Sequence, residues 1–412
     1  MKGLYVAAAV TMAGVGSVFA LLAELDERYR LGEGSLGWIA GAAFAAALVT
    51  QLGLSRYADR GFAKPLLYGG VLLAAIGLLW FAAATELWQF VAARAVLGAA
   101  VGMIVPAARR AIVMTAPSGD LGARLGVFYA AYLSGFVFGP PVAGMLTLIG
   151  DVRLPFVVLG LACAGSALGL RDLRMDDGHD DPDHRGADDD DDGAASDRRV
   201  LRRLIRRRAM VAALLVVVSF RYSIGVFEPL WAVYLDDLGA STMVITVSLT
   251  IFALPMLVVA RRAGHLTDRL GARWTSLLAA AATVPLMATY GWVGVLPLVI
   301  GLSIPHGVFE AIESPGTQVA VADAAPRSEA AAAQGLAEAA GSAAAAIGAF
   351  TAAPLYARIG AGWAWMIAGS VMAALLTLSW MLDPPRRRPR RPVDPVSVAV
   401  DDHPAGEGVH PN

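Results

Sequence analysis

Long apolar windows, separated by short polar clusters, recur along the whole chain. Twelve such windows can be marked between clusters of arginine, aspartate, glycine and proline, and each has the length of about 20 residues that a transmembrane helix needs. They cover approximately residues 4–24, 36–55, 65–84, 87–108, 124–147, 153–171, 209–231, 242–260, 274–292, 295–316, 331–355 and 362–382. The pattern therefore predicts an all-α integral membrane protein with twelve transmembrane helices.

Two polar stretches interrupt this pattern and divide the chain. Residues 172–208 form the long internal loop, which is acidic over 176–192 and then basic and amphipathic over 198–208. The tail is too polar and too rich in proline to fold. We therefore predict a six-helix bundle over 1–171, a cytoplasmic loop over 172–208, a second six-helix bundle over 209–382 and a disordered cytoplasmic tail over 383–412.

The composition narrows the class of protein. Of 412 residues, 57% are hydrophobic and 16% are charged, and the mean hydropathy is +0.59, which excludes an ordinary soluble enzyme. The polar segments contain no nucleophile–base–acid set, no P-loop and no metal-ligand spacing, so we expect no enzyme activity, no cofactor and no metal site. The single cysteine, Cys163, excludes an intramolecular disulfide. A net charge of −1 gives no reason to expect a nucleic-acid partner.

The distribution of basic residues predicts the orientation in the membrane. Of the 33 lysines and arginines, 27 lie in the termini and in loops on one side of the predicted topology, and four lie on the other side. Because positively charged loops are retained in the cytoplasm, we expect both termini to be cytoplasmic and the protein to lie in the cell membrane. The two remaining basic residues, Arg94 and Arg221, fall within predicted spans.

The two halves of the chain repeat in one ungapped register of 209 residues. The matched pairs are Asp59-Arg60 with Asp268-Arg269, Gly98 with Gly307, Pro106 with Pro315, Pro117 with Pro326, and Gly126 with Gly335. Glycine matches are common in a glycine-rich chain, but an Asp-Arg pair and two prolines in the same register are not. The repeat predicts two pseudo-symmetric bundles of six helices, as in two-lobed secondary transporters.

Two loops contain a charged motif. The loop after predicted helix 8 reads GHLTDRLGAR over 264–273 and contains Gly264, Asp268, Arg269, Gly271 and Arg273. The loop after predicted helix 2 reads SRYADRGFAK over 55–64 and keeps Asp59, Arg60 and Lys64. Both resemble the signature loop of the major facilitator superfamily, although Ser55 stands where glycine is usual. The resemblance implies that these loops act as a gate, in which Asp59 meets Arg109 or Arg110 at the inner end of helix 4.

Predicted helix 5 contains a second motif of the same family. Its positions here are Gly126, Gly135, Gly139, Pro140 and Gly144. They resemble the antiporter signature, which is typical of exporters such as drug:proton antiporters, and Ala143 is the one departure from it. The alternative is ordinary glycine-rich helix packing.

Polar residues within the spans are candidates for coupling or for lining a cavity. They are Arg94 on helix 4, Arg221 and Glu228 on one face of helix 7, His306, Glu310 and Glu313 on one face of helix 10, and Glu338 on helix 11. Charges inside a membrane are costly, so these residues are expected to face partners or a wet cavity. We expect Arg94 to pair with Glu228 and a carboxylate to bind the coupled proton. The alternative for Glu313 and Glu338 is that they lie close enough to the cytoplasmic ends to be solvated. For His306 we expect a structural role in preference to a proton relay.

These features predict a transporter that works by alternating access. The main hypothesis is proton-coupled efflux of a lipophilic or drug-like solute. An uptake symporter and a membrane sensor on a transporter scaffold are the alternatives. We expect a monomer, with a small-molecule substrate, protons and membrane lipids as partners.

An apolar stripe of Val200, Leu201, Leu204 and Ile205 predicts that 198–208 lies along the anionic inner leaflet. The candidates for an aromatic wall around the solute are Trp231, Phe227, Tyr222, Phe309 and Phe252. The alternative, which is more common for aromatic residues in spans, is that they face lipid or pack against other helices.

Overall fold

The computed structural model describes residues 1–32, 34–57, 62–115, 121–171, 199–326 and 329–384. The first lobe consists of α1 Lys2–Tyr29, α2 Ser35–Tyr57, α3 Ala63–Ala83, α4 Leu87–Thr115, α5 Leu121–Ile149 and α6 Leu154–Leu168. The second lobe begins with α7 Arg208–Asp237, α8 Thr242–Leu270, α9 Ala272–Thr289 and α10 Leu296–Ala324. A last helical stretch covers Ala330–Leu382.

The last stretch is broken at Gly360. This residue has φ 81° and ψ 168°, a backbone conformation outside the helical region that glycine adopts readily. An unbroken helix of 53 residues would be about 80 Å long, well beyond the thickness of a bilayer. We therefore describe 330–359 as α11 and 361–382 as α12.

The all-α membrane fold is confirmed, while the number of crossings remains a prediction. Within the described ranges, nine helices are long and apolar enough to span a membrane when Ala330–Leu382 is counted once. The apolar helix α6 is shorter, with 15 residues, and α9 is not among the nine. Twelve crossings would require both of these helices and a division at Gly360.

The helix ends lie on two opposite sides. On one side α1 begins beside the end of α6, since a Cβ atom added to Gly3 would overlap the carbonyl oxygen of Gly169. We call this the terminal side. On the other, Arg28 at the end of α1 forms a 2.7 Å ion pair with Asp151, and we call this the far side. The distribution of basic residues predicts that the terminal side is cytoplasmic.

Close helix packing repeats in the register of the sequence repeat. A Cβ atom on Gly98 of α4 would overlap the backbone of Ala43 in α2. The same atom on Gly307 of α10 would overlap the carbonyl oxygen of Phe252 in α8. Both members of the second pair lie 209 residues after their counterparts. The glycines therefore permit the same close helix approach in each lobe.

One apolar core joins the two lobes toward the far side, and separate cores lie toward the terminal side. The joint core includes Phe19, Phe90, Trp231, Tyr290 and Trp365. Near the terminal side, one core holds first-lobe residues such as Leu4 and Phe128, and another holds second-lobe residues such as Met210 and Val321. This division of the apolar contacts means that the lobes meet mainly in their far halves.

Candidate functional site

A buried ion pair joins the lobes in the far half of the structure. Nη2 of Arg94 in α4 bonds to Oε1 of Glu228 in α7, and the two residues are only 2% and 7% exposed. The pairing expected from the sequence is confirmed. Two opposite charges removed from water in this way stabilise each other, and removal of one partner would leave the other uncompensated.

An aromatic cluster surrounds Phe227, the residue next to Glu228. The Phe227 ring stacks on Trp231 and Phe252, with ring centroids 4.6 and 4.7 Å apart, and it approaches Phe19 of the first lobe at 6.4 Å. Trp231 is fully buried, and its Nε1 donates to Oγ of Ser248 at 3.0 Å. Phe227, Trp231 and Phe252 therefore act as packing residues, which is the alternative to an aromatic wall around the solute.

Other bonds between the lobes also lie mostly toward the far side. Oγ1 of Thr242 donates to Oε2 of Glu24 at 2.8 Å, and Oγ1 of Thr250 donates to the carbonyl oxygen of Val137 at 3.0 Å. Gly37 near the start of α2 lies close to the backbone of Ala349 in α11. Together with the joint core, these contacts close the far side.

A second ion pair lies within the second lobe. Nη2 of Arg221 in α7 donates to Oε2 of Glu338 in α11 at 2.6 Å, and both side chains are about one-third exposed. Both residues are candidates from the sequence, but their pairing is not predictable from it, because they are 117 residues apart. A hint lay in Gly225 and Gly348, since both allow α7 and α11 to approach closely.

The polar face of α10 points into the second lobe. Nδ1 of His306 lies 3.0 Å from the hydroxyl of Tyr290, and Nε2 lies 3.5 Å from Oε1 of Glu310. The next acidic residue along this face, Glu313, is only 1% exposed, and neither of its carboxylate oxygens has a hydrogen-bond partner among the described residues. Solvation is therefore the wrong alternative for Glu313, while Glu338 keeps partial exposure.

The charged loop motifs are only partly visible in the structure. Asp59 and Arg60 lie outside the described residues, as does the side chain of Asp268. Lys64 is half-buried at the start of α3, and Arg110 is half-buried in α4. The guanidinium of Arg109 lies 5.4 Å from the ring centroid of Tyr129. The gate contact between Asp59 and Arg109 or Arg110 therefore stays a prediction.

Arg273, the last residue of the second motif, ties three helices together at the terminal side. It donates to the carbonyl oxygen of Ala212 in α7 at 3.1 Å, to the carbonyl oxygen and Oγ of Ser379 in α12 at 2.9 and 2.7 Å, and to the carbonyl oxygen of Asp383 at 3.2 Å. A cation is favourable at the carbonyl end of a helix such as α12. Arg269 of the same motif is exposed. Gly271, with φ 88°, lies between the end of α8 and the start of α9.

The glycines of the α5 motif have different surroundings. Cβ atoms added to Gly135 and Gly139 would overlap the carbonyl oxygens of Ala9 and Ala13 in α1. Gly144 faces Thr246 of the second lobe, and Pro140 lies beside Gly16. Among the described residues, no atom lies within 4 Å of a Cβ added to Gly126. The middle of the motif therefore seals α5 against α1, and its far end contacts the other lobe.

A family model matches most of the chain, and individual relatives match less than half of it. The model of the Major Facilitator Superfamily matches residues 4–231 and 213–399. An MFS-type transporter of Methanocaldococcus jannaschii is 25% identical over 181 residues, which cover 41% of this chain and 45% of that protein. Multidrug resistance protein 2 of Bacillus subtilis is 24% identical over 147 residues, 36% of each chain. The matched region thus spans less than half the length of these relatives.

Solved structures match the fold over nearly the full length. A nucleoside transporter superimposes with a TM-score of 0.75 and 14% identity, covering 93% of this chain and 99% of that one. A D-xylose–proton symporter superimposes with a TM-score of 0.72 and 16% identity, covering 92% and 97%. At this level of identity the likeness concerns the fold alone.

Proposed function

The chain belongs to the major facilitator superfamily of membrane transporters, and we propose that it exports a lipophilic or drug-like solute in exchange for protons. The ion pair between Arg94 and Glu228 is the main support for this proposal. It connects α4 of one lobe to α7 of the other in a structure that is closed on the far side. If the lobes separate on the far side, the bond between Arg94 and Glu228 has to break.

The buried carboxylate of Glu228 links the state of the gate to a proton. A solute that enters from the terminal side competes with Arg94 for the carboxylate of Glu228, which breaks the pair and allows the far side to open. A proton from the far side then neutralises Glu228, and the solute leaves. The pair re-forms only after Glu228 loses this proton toward the terminal side, so proton and solute move in opposite directions. A ligand shifts such an equilibrium only by its differential affinity for the two states.

Two further observations support efflux. The α5 motif resembles the antiporter signature, and Gly135 and Gly139 bring α5 into backbone contact with α1. Such a packed seam keeps the central space closed against leakage within the first lobe. The Bacillus relative is named as a multidrug resistance protein, which agrees with a lipophilic solute.

The first test identifies a solute and then examines Glu228. Cells with and without the protein are compared on a panel of toxic lipophilic compounds, and a compound that the protein protects against is used with the purified protein in liposomes. Glu228→Gln should abolish exchange driven by a pH gradient, because a neutral amide binds no proton. Glu86→Gln is the matched control, since Glu86 is exposed near the far side and bonds to Trp88. An unchanged pH dependence in Glu228→Gln would make Glu228 structural.

Uptake with protons is the second candidate, because one structural neighbour is a proton symporter. The two candidates predict opposite directions in the same liposomes. In exchange, solute accumulates on the side that protons leave, whereas in symport it accumulates on the side that protons enter. If a pH gradient of either direction drives no solute flux, the result would favour the alternative of a membrane sensor.

A further inference from the structure

A short helix before α7 is docked on the second lobe. Residues 199–204 are helical, and we call them the loop helix. Leu204 is fully buried among second-lobe residues that include Met210 and Ala333. The expectation that the whole apolar stripe faces lipid is therefore wrong for Leu204, because that side chain fills the base of the lobe. Leu201 and Ile205 remain 37% and 50% exposed.

One arginine of the loop helix anchors the start of α11. Nη1 of Arg203 donates to Oε1 of Glu329 at 2.7 Å. The Glu329 side chain is 9% exposed while the Arg203 side chain is 63% exposed, so the carboxylate is held in place and the guanidinium reaches it from the surface. Glu329 Oε2 has no hydrogen-bond partner within the described part of the chain. Arg203 is thus the group of this pair that an outside anion can reach.

The same helix forms a basic cleft. Arg199, Arg202, Arg203 and Arg206 line a space of about 250 Å³. Among the described residues, Arg203 is the only one of the four with an acidic partner. Four guanidinium groups around one space provide the charge and the hydrogen-bond donors that a phosphate group requires.

We propose that this cleft binds the phosphate headgroup of an anionic phospholipid, and that Arg203 exchanges between that headgroup and Glu329. The group that the cleft binds is a phosphate anion, and a free phosphate compound carries the same group. The exposed Leu201 and Ile205 favour a lipid, since acyl chains cover apolar side chains next to the cleft. The acidic stretch 176–192 is another possible source of negative charge for the cleft, but it contains no large apolar side chain that would cover Leu201 and Ile205.

The position of the cleft couples lipid binding to two helices of the second lobe. The loop helix leads directly into α7, and Glu329 directly precedes α11. These are the helices that Arg221 and Glu338 connect. A headgroup that draws Arg203 from Glu329 releases the terminal end of α11 from the segment that leads into α7. This consequence rests on the proposed transport cycle, whereas the binding site does not.

The experiment measures binding to the full chain in an uncharged detergent, without solute or gradient. The probes are a short-chain phosphatidylglycerol, a short-chain phosphatidylcholine and glycerol phosphate. The double variant Arg202→Gln/Arg206→Gln should weaken phosphatidylglycerol binding about 25-fold, at about fivefold for each arginine. The matched control is Arg207→Gln/Arg208→Gln, because both residues are exposed and neither lines the cleft. Its binding should change little.

Glu329→Gln tests the exchange of Arg203. It should tighten phosphatidylglycerol binding several-fold, because Glu329 no longer competes with the headgroup for Arg203, and Arg203→Gln should reverse this gain.

Equal losses in the two double variants would overturn the cleft, since general surface charge would explain the binding. Glycerol phosphate binding as tight as that of phosphatidylglycerol would overturn the lipid as ligand. Unchanged binding in Glu329→Gln would overturn the exchange. Because these affinities are measured without solute or gradient, failure of the liposome transport test would overturn the proposed function and leave the lipid site standing.

Discussion

Arg94 and Glu228 lie 134 residues apart in the chain and form a buried ion pair between the lobes. Arg221 and Glu338 form a second pair, which lies within one lobe and is partly exposed. These two arginines are the basic residues that lie inside the predicted spans and not at their ends, and each has a carboxylate partner. The cost of a charge in the membrane is thus reduced by pairing in both cases, but only the first pair joins the two lobes.

The buried pair should behave as a unit in stability measurements. Arg94→Met alone should lower the free energy of unfolding by about 3–5 kcal/mol, because it leaves Glu228 buried without a counter-charge. The double variant Arg94→Met/Glu228→Gln should recover most of this loss. Thermal unfolding of the purified protein in detergent measures both effects. Additive losses in the double variant would mean that the two side chains do not interact.

The α5 glycines should differ in their tolerance of a methyl group. Gly135→Ala should reduce stability by about 1–3 kcal/mol or prevent folding, since its Cβ would overlap the backbone of α1. Gly126→Ala should be tolerated, because no atom in the described part of the chain lies within 4 Å of the new Cβ. Yield of folded protein and thermal stability measure the difference. Equal sensitivity at both positions would contradict the packing of α5 on α1.

Arg273 and Arg269 belong to one motif but should have different roles. Arg273→Gln should destabilise the second lobe by about 2–3 kcal/mol, because it removes charge-assisted hydrogen bonds to α7 and α12. Arg269→Gln should have little effect on unfolding, since Arg269 is exposed. Thermal unfolding compares the two variants, and similar midpoints would argue against the anchoring role of Arg273.

Labelling tests the orientation that the basic residues predict. In a Cys163→Ala background, a cysteine at Asp151 on the far side should react with an impermeant reagent added outside sealed cells. A cysteine at Ala187, which lies outside the described residues, should react only after the cells are opened. Reaction of the Ala187 cysteine in sealed cells would reverse the topology.

The gate implied by the family resemblance gives a further prediction. Asp59→Asn should slow turnover and shift the carrier about tenfold toward the form open on the terminal side, as expected if a contact of about 1–2 kcal/mol is lost. Asp268→Asn should have a milder effect. Spin labels at the terminal ends of α4 and α11 measure the shift as a wider separation. No widening in Asp59→Asn would mean that the loop has no gating role.

The sequence by itself determined the class of the protein. Apolar windows, the asymmetry of basic residues and the 209-residue repeat are local or periodic signals, so they are readable without coordinates. The repeat also placed Gly98 and Gly307 at equivalent positions, and both prove to be sites of close helix approach. The pair of Arg94 and Glu228 was predictable because a costly intramembrane charge requires a partner and the two residues lie at similar depth.

Only the tertiary structure decided which partners meet and which faces are covered. Arg221 lies on the same face of α7 as Glu228 but seven residues, or about 10 Å, nearer the terminal side, and there it bonds to Glu338 of α11. Leu204 belongs to the same apolar stripe as Leu201, yet it is buried in the lobe while Leu201 stays exposed. Such choices depend on helix rotation and docking over more than 100 residues of chain, and a hydrophobic pattern does not encode them locally.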